Sequence, residues 1–398
     1  MIKLKGMTWS HDRGVKPLIA ASATFKQQHP DVEISWDARS LADFELFPLD
    51  QLASEYDFIM IDHPHIGVAY EQNLLLPLEN LLPAEFIEDQ KQNSVGQSFA
   101  SYTWEGRQLA LPADAAAQTA AYRKDLLEKY SLPLPTTWSD VLALIDALAA
   151  EGADAPVIGV PFVPVHAYSS FYSLCSQISG EIVWSDGSDL DPAVGEQALK
   201  LLIQLLDKAH PESFDCDPIN MLDKMGSSDE VAYIPLVYGY SNYAREGYLE
   251  HVATFSDMPS DTGKPNGSMI GGVGLSISSQ CKHPEIAAKF VQMTVAAEFQ
   301  KTQFFDDAGQ PGHKAAWTAQ HTNDNSNGFF INTLKTLELG SMRPRFNGYI
   351  EFQGHAGELI REFVKSKRSD YAAFVAELNQ LIKKARAEGA DAPAATIA

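Results

Sequence analysis

Early in the chain, short apolar runs alternate with an amphipathic stretch. Residues 4–9 read as a strand, residues 15–29 as a helix that stops at Pro30, and Val32-Glu33-Ile34-Ser35-Trp36 alternates as a second strand. Phe58 to Ile61 is a continuous apolar run of the kind buried on both faces of a parallel sheet. Strand, helix, strand, helix, strand is the doubly wound α/β pattern, whose ligands bind beyond the carboxyl ends of the strands. Residues just after these three strands are therefore the first candidates for a site. A second region of this type follows, with strands predicted at residues 157–160 and 231–237 and helices at 170–178 and 192–209.

Between the two regions lies a junction. Tyr102-Thr103-Trp104 and Gln108-Leu109-Ala110-Leu111 are strand-like runs joined by Glu105-Gly106-Arg107, which predicts a hairpin. Pro112 ends the second run because it has no amide hydrogen to continue a central strand. A short helix is expected to begin within residues 122–127 and to be closed off by Pro133 and Pro135. Thr137 then caps an amphipathic helix with apolar residues at Val141, Leu142, Leu144, Ile145 and Leu148.

Bulk properties narrow the picture. At 398 residues the chain exceeds what one hydrophobic core ordinarily supports, so two domains are expected. No segment approaches the roughly 18 uninterrupted apolar residues of a spanning helix. A formal charge of −22 would repel nucleic acid and anionic membranes, so neither is expected as a partner. Cys175, Cys216 and Cys281 are widely separated, without Cys-x-x-Cys spacing, and read as buried apolar residues.

The order of the junction pieces, followed by Tyr-x-Lys-Asp at residues 122–125 and Pro-x-Thr-Trp at 135–138, resembles the extracellular solute-binding proteins of ABC importers, in the carbohydrate-binding, maltose-binding-protein-like branch. Other segments fit that family in sequence order: residues 56–62 with 74–78, the glycine-rich return at 271–278, the helix start at 283–290, and Phe299-Gln300 through Gly309-Gln310-Pro311-Gly312. The resemblance implies a two-lobed α/β periplasmic-binding-protein fold of type II, each lobe a mainly parallel sheet flanked by helices. It places residues 1–112 and 265–312 in the N-terminal lobe and 113–264 and 313–398 in the C-terminal lobe, with hinge crossings near 112, 264 and 312. It also implies capture of a small carbohydrate by hinge closure, delivery to a membrane permease, no cofactor, a monomer, and a periplasmic or extracellular address. The first six residues carry two lysines but no signal-like apolar core, which leaves a cytoplasmic address open. The alanine-rich end, residues 385–398, is expected to be a fraying helix.

Candidate ligand contacts follow from strand ends. After the first strand come Trp9, a flat face for a sugar, and the donors His11 and Arg13; after the second comes Arg39. Asp62, His63 and His65 follow the third. On an extended backbone the two histidines share a side and could ligate zinc with His11, but no acidic partner supports that, and the reading is without metal. Asp114 follows the first crossing and could accept bonds from two adjacent hydroxyls. From the second lobe, Tyr168 ahead of a helix, and Tyr238, Tyr240 and Asn242 after a strand, would complete the clamp, with Gly272 allowing close approach and Arg345 arriving from the C-terminal segment. Each has a structural alternative as a core or surface residue. The recurrence of histidine and arginine at these loops suggests a ligand with negative charge, such as a sugar acid. A hydrolase or lyase using Asp62 or Asp114 with His63 is the rival reading, as is a ligand sensor with the same fold. No carboxyl pair is fixed at a defined separation, and no Gly-x-Ser-x-Gly or His-Glu-x-x-His motif occurs, which favours binding without catalysis.

Overall fold

The computed structural model describes residues 1–41, 48–185 and 187–390. Strand β1 (Ile2–Trp9) lies between β2 (Val32–Arg39) and β3 (Phe58–Ile61), both parallel to it. The chain then reaches β4 (Leu111–Pro112) and passes directly into a second sheet through β5 (Ala116–Tyr122). That sheet adds β6 (Val157–Ile158), β7 (Val231–Tyr238) and β8 (Thr254–Ser256) in the order β8-β5-β7-β6, and β9 (Ile270–Gly271) also pairs with β5. Finally β10 (Gly274–Ile277) returns to the first sheet, whose order is β2-β1-β3-β10-β4.

Both sheets are mixed, which corrects the expectation of mainly parallel ones. β10 runs antiparallel to β3 and to β4, and in the second sheet only β6 and β7 pair in parallel. For β10 against β4 and β9 against β5 the cause is the back-and-forth passage of the chain: a strand that leaves one sheet and one that comes back must point opposite ways.

Each sheet is covered by helices. In the first lobe α1 (Asp12–Gln28) is capped by His11, whose Nδ1 accepts from the Arg13 amide at 3.0 Å, and its buried Leu18, Ala21 and Phe25 face Met7, Phe58, Ile59 and Leu275. In the second lobe α2 (Pro164–Ser179), α3 (Pro192–Asp207), α4 (Tyr349–Lys365) and α5 (Tyr371–Ala390) form one core through Tyr168, Tyr172, Trp184, Leu202, Phe352 and Phe363. A third cluster, including Ala117, Ile234, Trp317, Phe329 and Phe330, covers the opposite face of that sheet. The expected cap at Thr137 is present as a reciprocal pair with Asp140. The three cysteines are buried and unbridged. The fraying expected from residue 385 is met by a helix that continues to Ala390; residues 391–398 lie outside the described residues.

Three passages of the chain, at residues 112–114, 272–273 and 312, run side by side. The Val273 carbonyl accepts from the Ala113 and Asp114 amides at 3.1 and 3.0 Å, the Val273 amide donates to Asp114 at 3.1 Å, and Gly312 donates to Ala113 at 3.2 Å. Ile270 and Gly271 pair with β5, whereas Gly274 opens the pairing of β10 with β3, so the chain changes sheets at Gly272-Val273. Gly272 has φ +95, and a Cβ there would lie 2.5 Å from the Asp114 carbonyl, so only glycine permits this contact. Two buried glutamines fasten the strands. Gln300, at the start of a single π-helical turn, donates to the Ala113 carbonyl at 3.1 Å and accepts from the Gly312 amide at 2.7 Å. Gln310 donates to Ala115 and Gly239 at 2.8 and 3.0 Å and accepts from the Ser241 amide at 2.8 Å. Replacing Gln310 by Met removes the side-chain partner of the Ser241 amide and the Ala115 carbonyl. The expected loss is about 2–4 kcal/mol, read as a lower thermal midpoint; an unchanged midpoint would contradict this role.

Candidate functional site

Between the carboxyl ends of the first sheet and the edge of the second lies a cavity lined by Trp9, Arg13, Asp62, Asp114, Tyr238, Tyr240 and Gly272 among the candidates, and also by Ala116, Val165, His166, Ser169, Gly271 and Arg343. Trp9 ends β1, and Arg13 enters from the first turn of α1. Asp62 follows β3, Asp114 stands on the first passage, and Tyr238 ends β7. The doubly wound topology thus aims several strand ends at one point.

Two buried ion pairs dominate its electrostatics. Arg13 grips Asp114 in fork geometry, Nε to Oδ2 and Nη2 to Oδ1 both at 2.6 Å, while Nη1 donates to the Gly239 carbonyl at 2.9 Å and the guanidinium lies 4.5 Å from the Tyr240 ring centre. Arg343 Nη2 donates to both Asp62 oxygens at 2.7 and 2.8 Å, and its Nη1 donates to Gln353 Oε1 at 3.0 Å. Burial opposes ionisation of Asp62, but the Arg343 guanidinium and the contact with His63 outweigh it and hold the carboxyl far below the usual range. Arg13 and Arg343 are thus each matched by a carboxylate among the described residues.

The other candidates lie elsewhere. His11 packs edge-on against Tyr240 at 4.9 Å and its Nε2 meets the Tyr248 hydroxyl at 3.4 Å, joining the lobes beside the cavity. His63 is buried behind Asp62, with Nδ1 at 3.3 Å from Asp62 and 3.5 Å from Arg343. His65 faces a separate groove beside Tyr349 and Phe352. Residues 63–65 form a helical turn, not the extended backbone on which the zinc alternative relied, and no metal-competent cluster occurs among the described residues. Arg39 sits near Glu55 and Tyr56. Tyr168 lies within α2, not before it, and bonds Tyr349 in the core at 2.8 Å. Asn242 is buried and donates to the Ala308 carbonyl at 3.1 Å. Arg345 donates to the carbonyls of Ala100, Ser101 and Thr103 at 2.8–2.9 Å and lies over Trp104.

Arg343 and His166 are the principal residues that sequence reasoning passed over. Each stands two positions from a chosen residue, Arg345 and Tyr168. The helix that begins at Pro164 turns His166 toward the cavity and Tyr168 into the core; a helix start signalled by Pro164 was the available clue. The His166 ring is 3% exposed, edge-on to Tyr238 at 5.9 Å, and its Nδ1 has no hydrogen-bond partner among the described residues.

Burial, reinforced by nearby arginines, lowers the histidine pKa values to about 4 for His11 and His63 and about 3 for His166. Folding therefore keeps these rings neutral while the unfolded chain binds protons below the ordinary value near 6.5. Stability must fall as the pH drops from about 6.5 towards 4, by about 1.4 kcal/mol per pH unit for each fully buried ring. Thermal midpoints across that window should decline, and His63→Gln should flatten the slope; a flat wild-type profile would contradict the assignment.

A family model described as bacterial extracellular solute-binding protein matches residues 8–301. A curated relative, an uncharacterized ABC transporter extracellular-binding protein of Pyrococcus horikoshii, is 28% identical over 178 residues, 41% of this chain; the match spans only 40% of that relative's length. Among solved structures, an ABC transporter solute-binding protein of Agrobacterium radiobacter K84 in complex with ribitol superposes with TM-score 0.79 at 18% identity, covering 97% of this chain and 98% of that one. An ABC substrate-binding protein of Listeria monocytogenes in complex with cycloalternan gives TM-score 0.78 at 16% identity, covering 96% and 98%. These likenesses show the fold, and the family match extends over well over half of the chain. The protein belongs to the bacterial extracellular solute-binding proteins.

Proposed function

We propose that the protein captures a sugar or sugar alcohol between its lobes and presents the closed complex to the membrane subunits of an ABC importer, acting as a monomer outside the cytoplasm. The observation that carries this reading is the cavity itself. It is walled by Trp9, Asp62 and Arg13 from the first lobe, Tyr238, Tyr240 and His166 from the second, and Asp114 and Gly272 from the passages between them. Aromatic faces beside fixed carboxylates and guanidinium groups suit the alternating C–H and O–H surfaces of a polyhydroxylated molecule. The ABC designation of the curated relative and the ribitol and cycloalternan complexes of the structural neighbours support it.

In this reading residues 1–112 with the segment after Gly272 move as one body, residues 116–271 with the C-terminal helices as the other, and the hinge comprises the three passages. A ligand touching both bodies shifts the hinge equilibrium by its differential affinity for the closed arrangement. No bond is broken. Asp62 and Asp114, the carboxylates that line the cavity among the described residues, are each held by an arginine; Asp62 is kept too acidic to serve as a proton donor, and Asp114, which burial pushes up against the pull of Arg13, has both oxygens engaged by that arginine.

A thermal-shift screen of sugars and polyols should raise the melting temperature for at least one member, with the ligand recovered unchanged. Trp9→Ala and Tyr238→Ala should each weaken that binding by about 1–3 kcal/mol, roughly five- to 150-fold in Kd by calorimetry. A screen in which no sugar or polyol binds, or a ligand recovered as cleavage products, would refute the proposal.

A further inference from the structure

We infer that His11 is a proton-sensitive latch between the lobes: opening of the cleft frees its imidazole to take up a proton, so that ligand release and proton uptake are coupled. This rests on the hinge-closing reading of the cavity and adds a means of regulating it.

The latch is built from both sides. His11 caps α1 in the first lobe, and its ring enters a group of tyrosines that follow β7 in the second. It stands edge-on to Tyr240 at 4.9 Å, stacks with Tyr243 at 6.3 Å, and brings Nε2 to 3.4 Å from the Tyr248 hydroxyl. Those rings are held within the second lobe: Tyr243 packs edge-on to Tyr240 at 6.3 Å and to Tyr248 at 5.2 Å, and its hydroxyl donates to Asp223 at 2.7 Å. Separating the lobes must therefore withdraw His11 from the tyrosines. Arg13, two positions on from His11, and Tyr240, its ring partner, both line the ligand cavity, so the latch and the site open together.

Hydrogen bonding fixes the protonation state. The Arg13 amide can only donate, and it donates to Nδ1 at 3.0 Å, so the ring carries its single hydrogen on Nε2, facing Tyr248. A second proton would go to Nδ1, set two N–H groups against each other and break the cap of α1. The surrounding groups give such a charge little support. On its own helix Arg13 and Lys16 oppose a positive ring and Asp12 favours it. Across the cleft Tyr243 and Tyr248 are kept un-ionised by burial, Asp223 is engaged by Tyr243, and Arg245 is turned to the Phe305 carbonyl at 2.7 Å. Tyr240 already has the Arg13 guanidinium 4.5 Å from its centre, so a second cation there would face the first.

Burial, ahead of Arg13, thus lowers the His11 pKa to about 4 in the latched form, whereas a ring withdrawn into water regains a value near 6.5. The sign follows: the latched form keeps its full advantage above about pH 6.5 and loses it progressively as the pH falls towards 4, because only the open form binds the proton readily.

Two measurements on the full chain test this, using whichever of ribitol, D-mannitol, D-glucose or maltose binds tightest. NMR titration of the His11 ring should give an apparent pKa at least about one unit lower with saturating ligand than without it. By calorimetry the wild-type Kd should rise about tenfold from pH 7 to pH 5, and His11→Asn, which keeps an acceptor for the Arg13 amide but does not titrate there, should reduce that ratio at least about threefold. Equal ring pKa values with and without ligand, or an unchanged ratio in the folded variant, would overturn the latch and leave the carbohydrate reading intact. Binding of no probe in a screen extended to other sugars would overturn both. The ring titration needs no variant and decides the matter if His11→Asn fails to fold.

Discussion

The Arg13–Asp114 pair is the contact on which the remaining geometry depends. It joins three parts of the chain: the first turn of α1, the first passage between the lobes, and, through Nη1, the carbonyl of Gly239 beyond β7. That same carbonyl accepts from Gln310, which also holds Ala115 and Ser241. A buried pair of this kind adds little net stability compared with apolar groups of equal volume, yet losing one partner is severe because a buried charge is left alone. Its place between α1, the first passage and the Gly239 carbonyl sets the register of these three segments beside the cavity.

The C-terminal segment supplies a second connection. Ser341 exchanges backbone bonds with Ser268 and Ile270 beside the second sheet, Arg343 reaches Asp62 at the end of β3, and Arg345 fastens to the carbonyls of Ala100, Ser101 and Thr103 in the first lobe. Movement of the lobes must either carry this segment with one of them or break these bonds. The cavity thus lies where these passages of the chain and the C-terminal strap converge.

Much of the first lobe was legible from pattern alone. The strands at residues 4–9 and 58–61 and the helix between them obey period and capping rules that are local, so the arrival of Trp9, Arg13 and Asp62 at one point follows from topology. Asp114, Tyr238 and Tyr240 were legible for the same reason, as residues just after a stop or a strand end. Failures came where a two-residue shift decides direction. His166 and Tyr168 differ by about 200° around a helix, and a helix start placed too late exchanged them. Arg343 and Arg345 share an extended segment whose route depends on distant surfaces, including Gly67 packed against the Arg345 carbonyl. The mixed pairing of the sheets and the neutralisation of both arginines are long-range facts. Local composition showed the cations at the cleft loops but not the carboxylates that meet them.

The most direct measurement is a double-mutant cycle of Arg13→Met and Asp114→Leu, followed by denaturant unfolding and by calorimetry with the tightest sugar or polyol. Each single substitution should cost about 3–5 kcal/mol, and the double variant should recover much of that loss while its ligand affinity stays at least about tenfold below wild type. Additive destabilisation in the double variant, or undiminished ligand binding by it, would contradict the claim that this pair sets the register of its three segments beside the cavity.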